Sequence, residues 1–483
     1  MAQLVNDPKS APEPVKPVNR PDFRDHIATA DREGRRKWLY PKKVKGRFFR
    51  ARSWVAWFLL AIMFGGPFVT IRGNPLLMIN IVERKFSVLG VIFWPQDNLV
   101  FALGFLLFLM GIGMFTAAFG RLWCGWTCPQ TVMMEMVFRR IEYWIEGDAP
   151  AQKALARAPW TGAKLIKKAG KHTLFLALSF LIGNTLLAYI IGVDGLRQII
   201  TDNPLHHLTG LAFMGLFTLI FYGIFAHFRE QACTFICPYG RFQSTLLDEN
   251  TVVVAYDYKR GEQRGRWRRS ETTSQRTVRS AGDCIDCFKC VTACPTGIDI
   301  RNGTQMECIN CTACIDACDE VMEKIGRPRG LIRFASLNGI ENGLPLRLTP
   351  RIIGYCVILA ILAAGLIALL LTRSDVDVTL LRAPGALFEQ TTAGKISNLY
   401  LLKLTNKTQR EIPVQFRLEG IQGNLTVLGG QMNLPAEKQT SASVLIEIAP
   451  EKLASGNTPV QVGVYTPGKK IDTIKTIFIG PRK

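Results

Sequence analysis

The chain has 483 residues, too many for one ordinary soluble core. Lys and Arg number 59 against 38 Asp and Glu, a net charge of +21 that points to nucleic acid or to an anionic membrane face. Several apolar runs reach the roughly 20 residues that span a bilayer of about 30 Å, which decides for the lipid bilayer and against nucleic acid. All 13 cysteines lie between Cys124 and Cys356, and twelve of them fall into four tight clusters. None lies in the last 127 residues, so the pattern is that of metal or redox chemistry, since a disulfide scaffold would spread through an exported part.

Residues 1–52 form a basic N-terminal tail, disordered over 1–30 by composition. The first 50 residues lack an early apolar core, so no cleavable signal peptide is expected. A membrane domain over 53–250 holds four spans, near 54–71, 98–119, 172–192 and 208–227, and a fifth lies at 352–372. Gly65, Gly66 and Pro67 interrupt the first, which membrane helices tolerate. Ten Lys or Arg fall in 31–52 and nine in 120–171, against two in 73–97 and one in 193–207. The positive-inside rule therefore places the N-terminus, 120–171 and 228–351 in the cytoplasm and exports the chain beyond the fifth span.

The second span ends in "FGRLWCGWTCP" and the fourth in "FREQACTFICP". Both read F-x4-C-x3-C-P, and each closes an out-and-back helical pair, so two equivalent hairpins carry equivalent thiol pairs on the same side. Next come a basic linker over 251–281, a cysteine-rich segment over 282–325 and a return segment over 326–351. Residues 374–483 are short alternating runs such as "NLYLLKLTN" and "SASVLIEIA" between Gly, Pro and Asn turns. About 110 residues of this kind predict an antiparallel, immunoglobulin-like β-sandwich.

Residues 284–295 read "CIDCFKCVTACP", the spacing C-x2-C-x2-C-x3-C-P, and 308–318 repeat it as "CINCTACIDAC" with Asp319 in place of the proline. This is the bacterial two-cluster ferredoxin arrangement, in which the fourth cysteine of each run serves the other cube. One 4Fe–4S cluster takes Cys284, Cys287, Cys290 and Cys318; the second takes Cys308, Cys311, Cys314 and Cys294. Two Cys-four zinc sites are the competing interpretation, but zinc ribbons pair C-x2-C knuckles and do not use a tandem triple-plus-one.

The membrane-edge pairs are Cys124 with Cys128 and Cys233 with Cys237. Pro129 and Pro238 disfavour α conformation at the preceding cysteine and suit the first turn of a new helix, so each second thiol is expected at a helix start. There, and near Arg121, Arg229 and Arg241, a lowered thiol pKa is expected. Thiolate pairs favour Cu(I), and Met133, Met134 and Met136 are candidates to extend such a copper site. The bland alternative is buried packing by small sulfur residues, which for the methionines is the stronger reading. His172, His206, His207 and His227 sit at span ends, where they do not face one another across the bilayer as a bis-His haem needs. Cys356 in the fifth span is read as packing, and Asn406-Lys407-Thr408 matches a glycosylation sequon.

These motifs, with "YPKKVKGRFFR" at 40–50, "WPQD" at 94–97 and "RPRGLIRFAS" at 327–336, resemble the FixG/CcoG (RdxA) family of cytochrome c oxidase accessory proteins over nearly the whole chain beyond residue 35. The resemblance implies a multi-pass bacterial inner-membrane protein: a five-helix α domain, an inserted dicluster ferredoxin domain and a C-terminal immunoglobulin-like β-sandwich. It implies a cupric reductase, with copper as substrate at Cys124, Cys128, Cys233 and Cys237, that serves maturation of the cbb3-type oxidase. Expected partners are a cytoplasmic electron donor, copper-delivery or oxidase-assembly proteins and oxidase subunits. Two other readings remain open: a quinol dehydrogenase of the NapH/NosR type, which shares the half-motif, and a redox-sensing assembly scaffold.

Overall fold

The computed structural model describes residues 28–481 apart from 32, 72, 82–84, 268–280, 346–347, 386, 392–393, 431, 455 and 467–468. The expected disordered tail up to residue 27, and residues 268–280 of the expected linker, lie outside the described residues. The chain divides into two units: residues 1–69 with 104–363, and residues 70–103 with 364–483. Five helices are long and apolar enough to cross a membrane. They are α1 (Arg47–Gly65), α2 (Asn98–Phe119), α3 (Gly162–Thr201), α4 (Leu208–Gly223), which runs on as a π-helical turn to Phe228, and, after the ferredoxin helix α5 (Ala313–Lys324), α6 (Pro350–Leu371). This is the expected architecture of a membrane protein with an inserted cysteine-rich segment.

Two spans differ in detail from hydropathy alone. The first begins at Arg47 and stops at Gly65, so the Gly-Gly-Pro sequence ends the helix rather than interrupting it. Proline lacks the N–H that would continue the ladder and disfavours α conformation before it. The start is moved outward by a tertiary cap: the Asp316 carboxylate on α5 accepts from the Phe48 and Phe49 amides at 3.2 and 2.7 Å. Those are orphan N–H groups of the first turn, and a carboxylate there is favoured by the helix dipole as well. A Cβ at Gly46 would overlap that carboxylate, which explains the glycine in "KKVKGRFF". In the third span, α3 breaks at Gly192, where φ is 81°, a conformation open to glycine.

In the first unit the ends of the helical hairpins are tied together by buried ions. Arg229 makes a bidentate pair with Glu142, both contacts at 2.8 Å, and Arg139 reaches Glu135 at 3.1 Å. Lys171 lies 2.9 Å from Glu146. Breaking one partner of such a pair costs about 3–5 kcal/mol, because it leaves a buried charge alone. Strand β6 (Val253–Tyr256) pairs antiparallel with β7 (Ile332–Ala335), so the segment holding the eight ferredoxin cysteines starts and ends at one place. Its core is Val254, Ile298, Ile300, Ile315, Met322, Leu331 and Ile332.

The second unit is a two-sheet sandwich. One sheet has the order β12 (Gly423–Leu428), β14 (Gln439–Ile448), β10 (Ile396–Asn406), β8 (Val376–Arg382), with β9 (Glu389–Gln390) beside β10; the other has the order β13 (Met432–Leu434), β11 (Ile412–Glu419), β15 (Asn457–Thr466), β16 (Lys469–Ile479). All pairings are antiparallel. Tyr400, Leu402 and Leu404 on β10, and Val460, Val462 and Val464 on β15, alternate inward as the period of two requires.

Residues 70–97 add strands to the same unit, among them an antiparallel β3 (Leu77–Asn80), β4 (Lys85–Val88), β5 (Val91–Phe93) sheet, after the short β1 (Thr70–Ile71) and β2 (Asn74–Pro75). Asp97 of "WPQD" anchors it, with Lys407 at 2.6 Å and Arg373 at 2.7 Å. The sequon is structural here: Asn406 is fully buried and donates to the carbonyls of Arg410, Leu434 and Pro435.

Candidate redox centres at the membrane edge

Each ferredoxin run is shaped by two residues of positive φ at matching positions. Asp286 (54°) and Phe288 (56°) in the first correspond to Asn310 (50°) and Thr312 (64°) in the second. Asp and Asn tolerate this region, whereas Phe and Thr at positive φ are outliers held by their surroundings. Alternation of this kind makes the concave backbone found around iron–sulfur cubes. A short helix, Lys289–Ala293 or α5, then starts and delivers the third and fourth cysteines.

The eight cysteine side chains lie close together. Cys294, Cys308, Cys311 and Cys314 line one small cavity, which Cys290 of the first run also lines. Cys318 has Cys290, Cys284 and Cys287 as its cysteine neighbours, so the fourth thiol of each run lies with the other run's triplet. Burial, and after it the neighbouring thiols, pushes Cys308 up to about 12 and Cys318 higher still. Burial pushes Cys290 up to about 12, against the pull of Arg301, and Cys311 up to about 11, against the pull of Arg52. Thiols in such a place ionise only when iron supplies the compensating charge, so the donor set fits two cubes.

At the membrane edge the repeat seen in the sequence is a repeat in three dimensions. Phe119 and Phe228 are each followed by a residue of positive φ, Gly120 at 57° and Arg229 at 53°. The strain at the non-glycine residue is held by its pair with Glu142. Cys128 and Cys237 then cap the starts of the short helices Pro129–Val132 and Pro238–Phe242, as the prolines predict. The neighbourhood of Cys233 holds Cys124, Cys128 and Cys237, so the two motifs converge. A Cβ at Gly240 would overlap the Cys233 carbonyl oxygen, which is how closely the second motif folds on itself.

The expected lowering of thiol pKa is corrected by the structure. Burial comes first and pushes Cys128 up and Cys233 up to about 12, with neighbouring thiols adding to it and Arg121 opposing it at Cys233. The helix behind Cys128 has only four residues, so its dipole is small beside the loss of solvation. Met133, Met134 and Met136 are each 3% exposed and fill an apolar core with Leu60, Phe138, Phe175 and Phe225, so the structure uses them for packing. Cys356 donates to the Met114 sulfur at 3.6 Å, also a packing role, and His172 contacts the Tyr222 hydroxyl at 2.9 Å.

The two redox regions touch. Cys124 and Cys311 share one buried group with Ile309, Tyr239 and Ala313. A Cβ at Gly125 would overlap the Ile309 carbonyl oxygen and crowd the Cys311 amide. The Trp126 indole donates to the Asn310 carbonyl at 3.3 Å, and Arg121 donates to the Met306 carbonyl. Asn310 in turn donates to the Phe119 carbonyl at 3.3 Å, at the end of α2. Gln243, fully buried, donates to the Cys124 sulfur at 3.0 Å. Sequence reasoning missed Gln243, Asn310 and Asp316, whose roles exist only through contacts distant in the chain. Gly125, inside C-x3-C, was the one available signal.

Family models match three parts of the chain. The 4Fe-4S dicluster domain covers residues 228–337, the IG-like fold at the C-terminal of FixG covers 366–481, and a 4Fe-4S binding domain covers 100–148. The chain is 32% identical to the nitrogen fixation protein FixG of Rhizobium meliloti over 476 residues, 90% of this chain and 87% of that one. The chain belongs to the FixG/RdxA family. Proteins RdxA and RdxB of Cereibacter sphaeroides are each 35% identical to this family member, over 85% and 78% of its length and 88% and 81% of theirs. A FixG-related protein from Vibrio parahaemolyticus has a crystal structure that covers 22% of this chain and 97% of its own, at 23% identity and a TM-score of 0.19. With its iron–sulfur domains, this FixG/RdxA-family protein is an electron-transfer oxidoreductase of the membrane.

Proposed function

We propose that the protein is a cupric reductase that takes electrons from its two 4Fe–4S clusters and converts Cu(II) to Cu(I) for assembly of a cbb3-type oxidase. The observation that carries this reading is the packing of the Cys124–Cys128 motif on the Ile309–Cys311 loop, through Gly125 and Trp126. It sets Cys124 in one buried group with Cys311 of the second ligand set. Bound clusters supply one electron at a time, which suits Cu(II) + e⁻ → Cu(I). Two thiolates bind a soft ion and favour its reduced state. Arg121 stabilises the thiolate at Cys233, and Gln243 fixes the Cys124 sulfur by its N–H donor.

The Lys and Arg asymmetry supports a cytoplasmic ferredoxin segment and a periplasmic sandwich. The partners in this reading are a cytoplasmic electron donor, a copper-delivery or oxidase-assembly protein and the oxidase subunits. The reading is tested by reducing the purified protein without oxygen and adding Cu(II). Cluster reoxidation with matching Cu(I) supports it; wild-type rates in Cys124→Ser/Cys128→Ser and Cys233→Ser/Cys237→Ser variants remove the thiols from it.

A second reading draws on one observation. The 4Fe-4S binding domain matched at 100–148 contains Cys124 and Cys128 and no other cysteine. In that reading the four thiols hold a third cube, and iron per chain is about twelve instead of about eight. A quinol site has less support: the apolar cavity of about 520 Å³ that Phe108, Phe115, Trp123 and Trp126 help to line has no titratable side chain to take a quinol's protons.

A further inference from the structure

A second cavity of about 500 Å³, in the size range of cofactor sites, opens beside the cluster-two cysteine loops, where Ala293 and Ala313 form its wall. Four cations line it: Lys42, Lys43, Arg52 and Arg140. The single acidic side chain there, Glu135, is already paired with Arg139 at 3.1 Å. Arg52 is 5% exposed, and its Nη2 is buried without a hydrogen-bond partner. Its other nitrogen, Nη1, donates to the Cys311 carbonyl at 3.5 Å. Burial, then the nearby Arg52 guanidinium, holds Arg140 below its ordinary value. Phe49 and Trp144 supply flat aromatic surface beside it.

A buried guanidinium with a free donor, a basic rim and aromatic walls suit one chemistry: a planar ring system bearing a phosphate. We propose that this cavity docks the electron donor, a reduced flavin mononucleotide or a close analogue, with its phosphate on Arg52 and the two lysines and its ring against the cluster-two loops. This rests on the electron-transfer reading above and is independent of copper as acceptor. The reduced flavin gives up two electrons and two protons and becomes oxidised flavin. Each 4Fe–4S cluster gains one electron, from the 2+ to the 1+ state, and the protons pass to solvent.

The test uses the full-length, iron-loaded protein in phosphatidylcholine nanodiscs, titrated with flavin mononucleotide and with riboflavin, which lacks the phosphate, and read by flavin fluorescence. Flavin mononucleotide is expected to bind at least about tenfold more tightly, the worth of a charge-assisted hydrogen bond. Arg52→Gln, and separately Lys42→Gln/Lys43→Gln, are expected to erase that advantage and leave riboflavin binding unchanged. The lysine pair is a rim change, so it keeps the test decisive if Arg52→Gln fails to load iron. Equal binding of the two flavins, or wild-type affinity in the lysine variant, overturns the proposal. So does displacement of the flavin when the nanodisc contains phosphatidylglycerol, which would make a lipid headgroup the occupant. Bleaching of the clusters by the reduced flavin without Cu(I) formation would leave this site standing and sink the copper reading. Clusters that no soluble reductant bleaches would sink the electron-transfer reading itself.

Discussion

The ferredoxin segment and the membrane edge both gather cysteines, but by different means. In the ferredoxin runs the first three ligands of each set fall within seven consecutive residues, 284–290 or 308–314, and paired positive-φ residues curl the backbone around them. At the membrane edge Cys128 and Cys233 are more than 100 positions apart, and they meet because two helical hairpins end side by side. A site made by its own loop is robust to distant changes. A site made by packing depends on every residue that sets the distance.

The largest effect is expected where the local site is broken outright. Cys314→Ser should cost about four of about eight irons. Cu(I) formation should fall at least about a hundredfold, with iron analysis and a Cu(I) chelator as the readouts. Cys124→Ser/Cys128→Ser should separate the regions in the other sense: the iron content holds near eight and cluster reduction is unchanged, while Cu(I) formation falls at least about tenfold. A loss of about four irons from this variant would instead favour the third cube.

Gly125→Ala sharpens the comparison without removing any ligand. Its Cβ has no room at the Ile309 carbonyl, so the motif must move off the ferredoxin loop or the loop must shift. Overpacking of this kind costs about 1–3 kcal/mol. Copper reduction is expected to slow by about tenfold with iron content intact, measured by stopped-flow reoxidation. Gln243→Leu should act more weakly, with a loss of about threefold in the same assay as the neutral hydrogen bond to Cys124 disappears.

The last effect concerns pH. Burial opposes ionisation of Glu146, but hydrogen bonds and charge from Lys168 at 2.8 Å and Lys171 at 2.9 Å overcome it and hold the carboxyl below its usual range. A depressed folded-state value gives stability that is complete above the unfolded carboxylate pKa, about 4.3, and is lost as pH falls through the folded value. Glu146→Gln should therefore unfold at a lower temperature than the wild type at pH 7. The gap should narrow below about pH 4, as followed by thermal scanning in detergent.

The sequence made the cluster ligands legible because their spacing is local, and the two C-x3-C-P motifs legible because they repeat at equivalent ends of hairpins. The alternation of Leu402 and Leu404 or Val460 and Val462 made the sandwich legible in the same way. What it concealed depends on tertiary contact. The start of α1 at Arg47 is set by Asp316, more than 260 positions away. The Trp126–Asn310 bond spans 184 positions. The direction of the thiol pKa values was misjudged because nearby arginines can be read from sequence and burial cannot. The strands within 74–93 went unseen because their partners are short and Asp97 is held by residues beyond position 370.

The most direct measurement of the central claim is an anaerobic titration of the fully reduced protein with Cu(II), followed by the cluster EPR signal and by a Cu(I)-specific chelator. The account predicts that two Cu(II) per chain are reduced as both 1+ cluster signals vanish, and that the Cys124→Ser/Cys128→Ser variant keeps its signals for at least about ten times as long. Cluster signals that persist in the wild type after Cu(II) is added, or equal decay in the wild type and the variant, would contradict it.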